Sequence, residues 1–273
     1  MVETTGKLLL QASIASVRQY MPENTIHVLY NGQRDAAFLA WLRAYGVVIH
    51  RHEPVWRDDI EEMRKNGDPG TSHLFLHAGN YFGTWQRIDI PLFVESEYCL
   101  LLDSDTLVTR PFTLEDFGMN LTRGIAMSAE MSVNDKIPTN AGVTLMNVPL
   151  LRQTHEHFIK YILSHVDSAK FEHPSPSDQG AYLSFYRSKT SFLSNKFNFK
   201  PYWKSTKKVF DSTYIVHFHG PKPHNYMEFI LGKGCDEAVK GLCHQGTDVC
   251  LFVCLFVAVA CHPEPSGTTR GAS

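Results

Sequence analysis

The segment Tyr98-Cys99-Leu100-Leu101-Leu102 is apolar without a break and ends abruptly in Asp103-Ser104-Asp105. A short apolar run with no alternation fits a central strand covered on both faces by other layers. The rest of the pattern agrees. Leu10, Ile14 and Val17 recur at helical spacing, and Ile26, Val28 and Tyr30 alternate as a strand before Asn31-Gly32 turns the chain. Phe38, Leu42 and Tyr45 share one helical face, and Val47-Val48-Ile49 forms a second short strand. Residues 51–80 are loop-like, with Pro54, Gly67 and Asp68-Pro69-Gly70. Trp85, Ile88 and Leu92 then return to helical spacing around Pro91. Further strands are expected over 124–128, 142–147 and 214–218, with one helix through Phe158, Tyr161 and Ile162 and another after Asp178.

This order of elements is α/β: a single domain with a mainly parallel central sheet flanked by helices. Ligands of such sheets bind beyond the carboxyl ends of the strands, which is where Asp103 and Asp105 must emerge. The chain has 273 residues, 43% hydrophobic and 20% charged, which suits one large domain better than two small ones. Its formal charge of −2 gives no global reason to expect nucleic acid or an anionic membrane as partner, so an anionic small ligand would need local cations or a metal.

The domain is expected to span 1–230, and 231–273 to be a cysteine-containing, partly apolar, poorly structured tail. Five of the six cysteines lie after residue 234, without the paired spacing of a zinc site. The apolar run 249–261 is short of the roughly 20 residues a helix needs to cross a bilayer, so membrane association is not supported. Residues 1–7 do not read as a signal peptide. A complete chain would be expected in the cytoplasm, and a chain lacking an N-terminal segment could belong to the Golgi.

Two carboxylates spaced i, i+2 just after a buried strand can turn toward one cation if the strand geometry ends there. Hard oxygen ligands suit Mn²⁺ or Mg²⁺, which in turn neutralise a diphosphate. Taken alone, an Asp-Ser-Asp sequence is more often a turn with capping duties. Here it sits in LLLDSDTLV, followed by Arg110-Pro111-Phe112, Asn140-Ala141-Gly142-Val143, Asp178-Gln179-Gly180 and His217-Phe218-His219-Gly220-Pro221-Lys222-Pro223.

In these motifs and their order the chain resembles glycosyltransferase family 8, the group that includes glycogenin, galactinol synthase and bacterial galactosyltransferases. The resemblance spans about residues 8 to 226. It implies a GT-A-type nucleotide-diphospho-sugar transferase fold, Mn²⁺ (or Mg²⁺) as cofactor, a UDP-sugar as donor, an unidentified hydroxyl acceptor and transfer with retention. Carried over motif by motif, Asp103, Asp105 and His217 would ligate the metal, with Ser104 between the two acids. Gly220 and Lys222 would meet the diphosphate, and Arg87 would contact the donor. Asn140, Ala141 and Gly142 would lie near the sugar, and Asp178 with Gln179 would bind its hydroxyls. Lys222 and the metal would stabilise the leaving UDP.

Each residue also has a plainer reading: Asn140 and Gly142 in a turn, Asp178 as a helix cap, His217 as a core histidine. The chain departs from the family in opening almost directly with a helix, so that the first strand is expected to be missing, and in a final motif one residue short before Lys222. Two alternatives follow. A haloacid-dehalogenase-like phosphatase would use Asp103 as nucleophile in its Asp-x-Asp-x-Thr. A non-catalytic family-8-like product would fold without binding UDP.

Overall fold

The computed structural model describes residues 2–31, 35–59, 85–118, 121, 123–165, 171, 177–203, 211–219 and 253–259. Helix α1 (Val2–Tyr20) leads into β1 (Thr25–Tyr30), α2 (Ala36–Ala44) and β2 (Val47–Arg51). After a short 3-10 helix (Arg87–Leu92) come β3 (Tyr98–Leu102), β4 (Thr106–Val108), β5 (Ile125–Ser128) and β6 (Asn140–Asn147). The long helix α3 (Val148–Leu163), α4 (Ser177–Phe185), β7 (Thr190–Phe192), β8 (Ile215–His217) and β9 (Val253–Val259) complete the described elements.

The main sheet has seven strands in the order β2-β1-β9-β3-β6-β5-β7, and β4 with β8 makes a separate ribbon. Strands β2, β1, β3, β5 and β7 run one way, and β9 and β6 run against them. The common direction expected from the sequence therefore holds for most strands. The neighbour pairings, however, are mostly antiparallel, because β9 and β6 flank β3 on both sides. The segment expected as the last strand, now β8, pairs with β4 and not with the main sheet.

Strand β3 shows why the apolar run is unbroken. All five of its residues are buried. Tyr98, Leu100 and Leu102 enter one core with Leu10, Ile14 and Val17 of α1 and Phe38 and Leu42 of α2. Cys99 and Leu101 point to the other face and pack with Trp85, Ile88, Leu151, Phe158 and Ile162. The period of two thus divides one strand between two apolar layers.

Helix starts are fixed locally. Asp35 caps α2 by accepting from the Phe38 N–H at 3.0 Å, and Asn147 caps α3 by accepting from the Leu150 N–H at 3.0 Å. The helix expected around Trp85, Ile88 and Leu92 is the tighter 3-10 turn Arg87–Leu92 with Pro91 inside it. Proline lacks an N–H and crowds the carbonyl of the preceding turn, which stops an α-helix from forming here.

The tail expected to be poorly structured contributes a strand to the middle of the sheet. β9 is antiparallel to both of its neighbours, with Val257 opposite Ile26 on one side and Leu100 on the other. The slot between β1 and β3 is thereby filled from the C-terminal part of the chain. Two buried strands facing an open slot would each leave a row of backbone donors and acceptors unpaired, and a strand with three valines and a phenylalanine is suited to close it. The rest of 231–273 lies outside the described residues. Among the described residues, no helix is long and apolar enough to cross a membrane.

A buried carboxylate ties the 3-10 turn to its surroundings. Asp89, fully buried, bonds His52 Nε2 at 2.7 Å just past β2 and His155 Nε2 at 2.8 Å on α3, and accepts from the Val55 N–H at 3.0 Å. Burial by itself pushes its pKa up, but the bonds from His155, His52 and Val55 outweigh it and hold the carboxyl below the ordinary 3.8. A depressed folded-state pKa contributes stability above the unfolded carboxylate value, and that stability is lost as pH falls through the depressed one. The Asp89→Asn variant is therefore expected to lose roughly 1.5–3 kcal/mol in neutral denaturant titrations and to show a flatter loss of stability on acidification than the parent. Likewise, Val257→Pro removes a ladder donor, and it should lower amide hydrogen-exchange protection in both β1 and β3. Unchanged protection would show that β9 is not paired there.

Candidate active site

The chain leaves β3 in a tight turn. The Asp103 N–H donates to the Gly142 carbonyl at 2.7 Å, and the Asp103 carbonyl accepts from the Thr106 N–H at 3.1 Å and the Thr106 hydroxyl at 2.8 Å. This turn ends the strand alternation, so Asp103 and Asp105 face the same space, with the half-buried Ser104 between them. Strand β4 then pairs with β8 so that Thr106 lies opposite His217. The Phe218 N–H donates to the Asp105 carbonyl at 2.9 Å and locks this register.

The result is a cluster of three potential ligands. His217 Nε2 lies 3.3 Å from Asp105 Oδ1 and 3.7 Å from Asp103 Oδ2, and one ligand atom from each residue falls within 4.8 Å of the others. The imidazole is 1% exposed, against 30% for the Asp103 side chain and 12% for Asp105, so the cluster opens to solvent through its acids. Gly142 makes room for it. A Cβ there would overlap His217 Cε1 and sit 2.8 Å from Asp103 Oδ2. The donor set fits a hard divalent cation of the Mn²⁺ or Mg²⁺ kind, with two carboxylates and one imidazole and no thiol.

Arg87 braces the site from the 3-10 turn. Its guanidinium donates to Asp103 Oδ1 at 2.9 Å and to the Ala141 carbonyl at 3.1 Å, and its Nε stands 3.4 Å from Asp178 Oδ2. One cation thus joins β3, β6 and the start of α4. Gln179 adds a second link, accepting the Ala141 N–H at 3.0 Å. Asp178 is buried, and its pairing with Arg87 gives it more than the plain capping duty that its place at the helix start suggested. Gly220 and Lys222, expected at a diphosphate, lie outside the described residues.

Asn140 was expected beside a sugar, yet its amide is committed to protein partners. Its Nδ2 donates to Glu130 Oε2 at 2.6 Å, and its Oδ1 accepts from Asn198 Nδ2 at 2.7 Å and from the Gly142 N–H at 3.2 Å. Asn198 in turn bonds His217 Nδ1 at 2.9 Å. His219 lies beside His217. The strand ends at His217, the two rings are 5.4 Å apart, and His219 Nε2 lies 3.0 Å from Glu130 Oε1.

Sequence reasoning missed Glu130, Asn198 and Lys200. Lys200 is fully buried, with its ammonium against the Ala129 carbonyl and 4.6 Å from the centre of the Trp203 ring. Burial pulls its pKa down to about 8, opposed by the charges of Glu130, Asp135 and Asp103. For Glu130, burial alone would raise the pKa, but His219, Asn140 and the Lys200 charge hold it below the ordinary carboxylate value. An acid shortly after the apolar β5 was a usable signal, by the same strand-end rule that located Asp103. Asn198 and Lys200 occupy an aperiodic stretch that carries none.

No protein-family model and no curated protein matches this chain. Among solved structures it is similar to the galactosyltransferase LgtC in complex with donor and acceptor sugar analogs, at 19% identity, a TM-score of 0.58, and 90% of this chain covered against 94% of that one. It is also similar to an active-site mutant of LgtC, at 18% identity and a TM-score of 0.56 with 89% and 95% covered. The apo bifunctional glycosyltransferase WbbM matches at 14% identity and a TM-score of 0.55, with 87% of this chain and 50% of that one covered. At such identities the likeness is one of fold. The chain has the GT-A-like fold of these glycosyltransferases, a mixed α/β single domain with a central sheet flanked by helices.

The space beside Gly142 gives a direct test of the cluster. Gly142→Ala is expected to cost about 1–3 kcal/mol in thermal or denaturant unfolding, since a well-packed wall must shift. It should also weaken Mn²⁺ binding at least about tenfold by displacing His217. An alanine variant with parental Mn²⁺ affinity would remove the cluster as a metal site.

Proposed function

We propose that this chain is a metal-dependent glycosyltransferase that moves a hexose from a UDP-sugar to a hydroxyl acceptor, with retention of anomeric configuration. The observation that carries this reading is the convergence of Asp103, Asp105 and His217 beyond the carboxyl end of β3, beside a glycine that leaves them room. The GT-A-like fold supports it independently. Asp103, Asp105 and His217 would hold Mn²⁺ or Mg²⁺, which when bound would offset the diphosphate charge of the donor.

The other residues have roles set by their contacts. Arg87 shares its guanidinium between Asp103 and Asp178, so it fixes the direction of one metal-binding carboxylate and balances the negative charge of two. Asp178 and Gln179, held against the start of β6, would bind sugar hydroxyls near the anomeric carbon. Asn140, with its amide engaged by Glu130 and Asn198, would lie near the sugar and shape the wall beside it. Gly220 and Lys222 would meet the diphosphate, with Lys222 assisting departure of UDP. The phosphatase alternative has no support from the fold. The binding-only alternative differs from the transferase in predicting no UDP affinity.

Calorimetric titration of UDP with and without Mn²⁺ separates these readings. UDP is expected to bind only with the metal present, and Asp105→Ala should abolish that binding while leaving the fold intact by circular dichroism. Folded parental protein that ignores UDP under both conditions would sink the transferase reading.

A further inference from the structure

Hydrogen-bond direction fixes which nitrogen of His217 is free. The Gly142 N–H can only donate, so the Asn140 atom 3.2 Å from it must be the carbonyl oxygen. The ionised Glu130 carboxylate can only accept, so the Asn140 atom 2.6 Å from it must be the NH₂ group. These two constraints come from different sides and agree. Asn140 Oδ1, acting as acceptor, then requires Asn198 to present its NH₂ at 2.7 Å, which turns Asn198 Oδ1 toward His217 Nδ1 at 2.9 Å. An oxygen acceptor there demands that Nδ1 carry the proton.

From this chain of contacts we propose that Asn198 is a positioning residue for the metal site. With Asn140 held by Glu130 and Gly142, it imposes the Nδ1–H tautomer on His217 and leaves the Nε2 lone pair facing Asp103 and Asp105. Three acceptors then converge with no donor among them, a grouping that calls for a cation. The opposite tautomer would put a proton between the imidazole and the carboxylates and fill the place of a metal with an ordinary hydrogen bond. Asn198 and Asn140 are 0% and 2% exposed, so water cannot readily substitute for either amide. Orientation of a metal-binding imidazole through its second nitrogen is a general device of metal sites, and here a pair of asparagines supplies it.

The proposal rests on the metal reading of the cluster, but its first test needs no metal. In metal-free protein with ¹⁵N-labelled histidine, at alkaline pH, His217 should show a protonated Nδ1 and a bare Nε2 by NMR. A neutral His217 carrying its proton on Nε2 would overturn the proposal. Asn198→Leu, which removes the acceptor, should produce a mixture of tautomers and a loss of Mn²⁺ affinity of about 10–100-fold. Asn198→Asp gives up the donor to Asn140 Oδ1 but keeps an acceptor at Nδ1, and should restore the single tautomer. A leucine variant that keeps both the tautomer and the affinity would overturn the proposal. Should that variant fail to fold, a proton on Nε2 in the aspartate variant would do so. A parental protein with the expected tautomer but no Mn²⁺ binding would instead count against the transferase reading alone.

Discussion

The hydrogen bond from the Asp103 N–H to the Gly142 carbonyl is the joint on which the site depends. It ties the end of β3 to the start of β6 at the point where strand geometry gives way to a turn. On one side of it the chain turns back into β4 and draws His217 alongside through β8. On the other, β6 opens with Asn140 and Ala141, the residues that Gln179, Arg87 and Asn198 hold. A buried strand ending is rigid because both of its neighbours and both of its faces are packed. A site built there inherits that rigidity without stabilising the fold itself.

The site is electrostatically costly by construction. Asp103, Asp105, Asp178 and Glu130 crowd one edge of the sheet, and among the described residues the cations drawn to them are Arg87 and Lys200. Arg87 is paired with two of the acids, whereas Lys200 is pressed against a carbonyl and an aromatic ring with its pKa lowered by burial. His217 faces Asp103 and Asp105 with a ring whose other nitrogen is already taken. An arrangement of this kind is best relieved by a bound cation, which explains why the same residues that make the edge unfavourable make it a candidate site. The Asp89 network, two residues beyond Arg87, then has a structural purpose. It anchors the 3-10 turn to β2 and α3 so that Arg87 is delivered at a fixed angle.

The middle of the sheet is completed in an unexpected way. Between β1 and β3, which run in the same direction, lies a strand from near the C-terminal end of the sequence that runs against both. Its N-terminal end pairs with the ends of β1 and β3 that face the candidate site. Any change in how β9 is seated would therefore be felt at the turn carrying Asp103.

The sequence by itself determined the α/β character, the buried central strand and the position of the acidic turn. Each follows from local patterning: an unbroken apolar run, helical spacing such as Leu10, Ile14 and Val17, and acids placed where a strand must end. It also supplied Asp103, Asp105 and His217 as a candidate set, through motif order. Only the tertiary structure decided the direction of β9 and its place in the sheet, since a short apolar run has no address until a slot is defined by other strands. It alone brought in Asn198, Glu130 and Lys200, whose significance lies in contacts between residues far apart in the chain, 71 positions for Lys200 with Ala129 and more for Glu130 with His219. Hydrogen-bond direction is likewise a property of neighbours and not of residue type. An asparagine in the sequence can present either end of its amide, and only the donor or acceptor packed against it settles which one it shows.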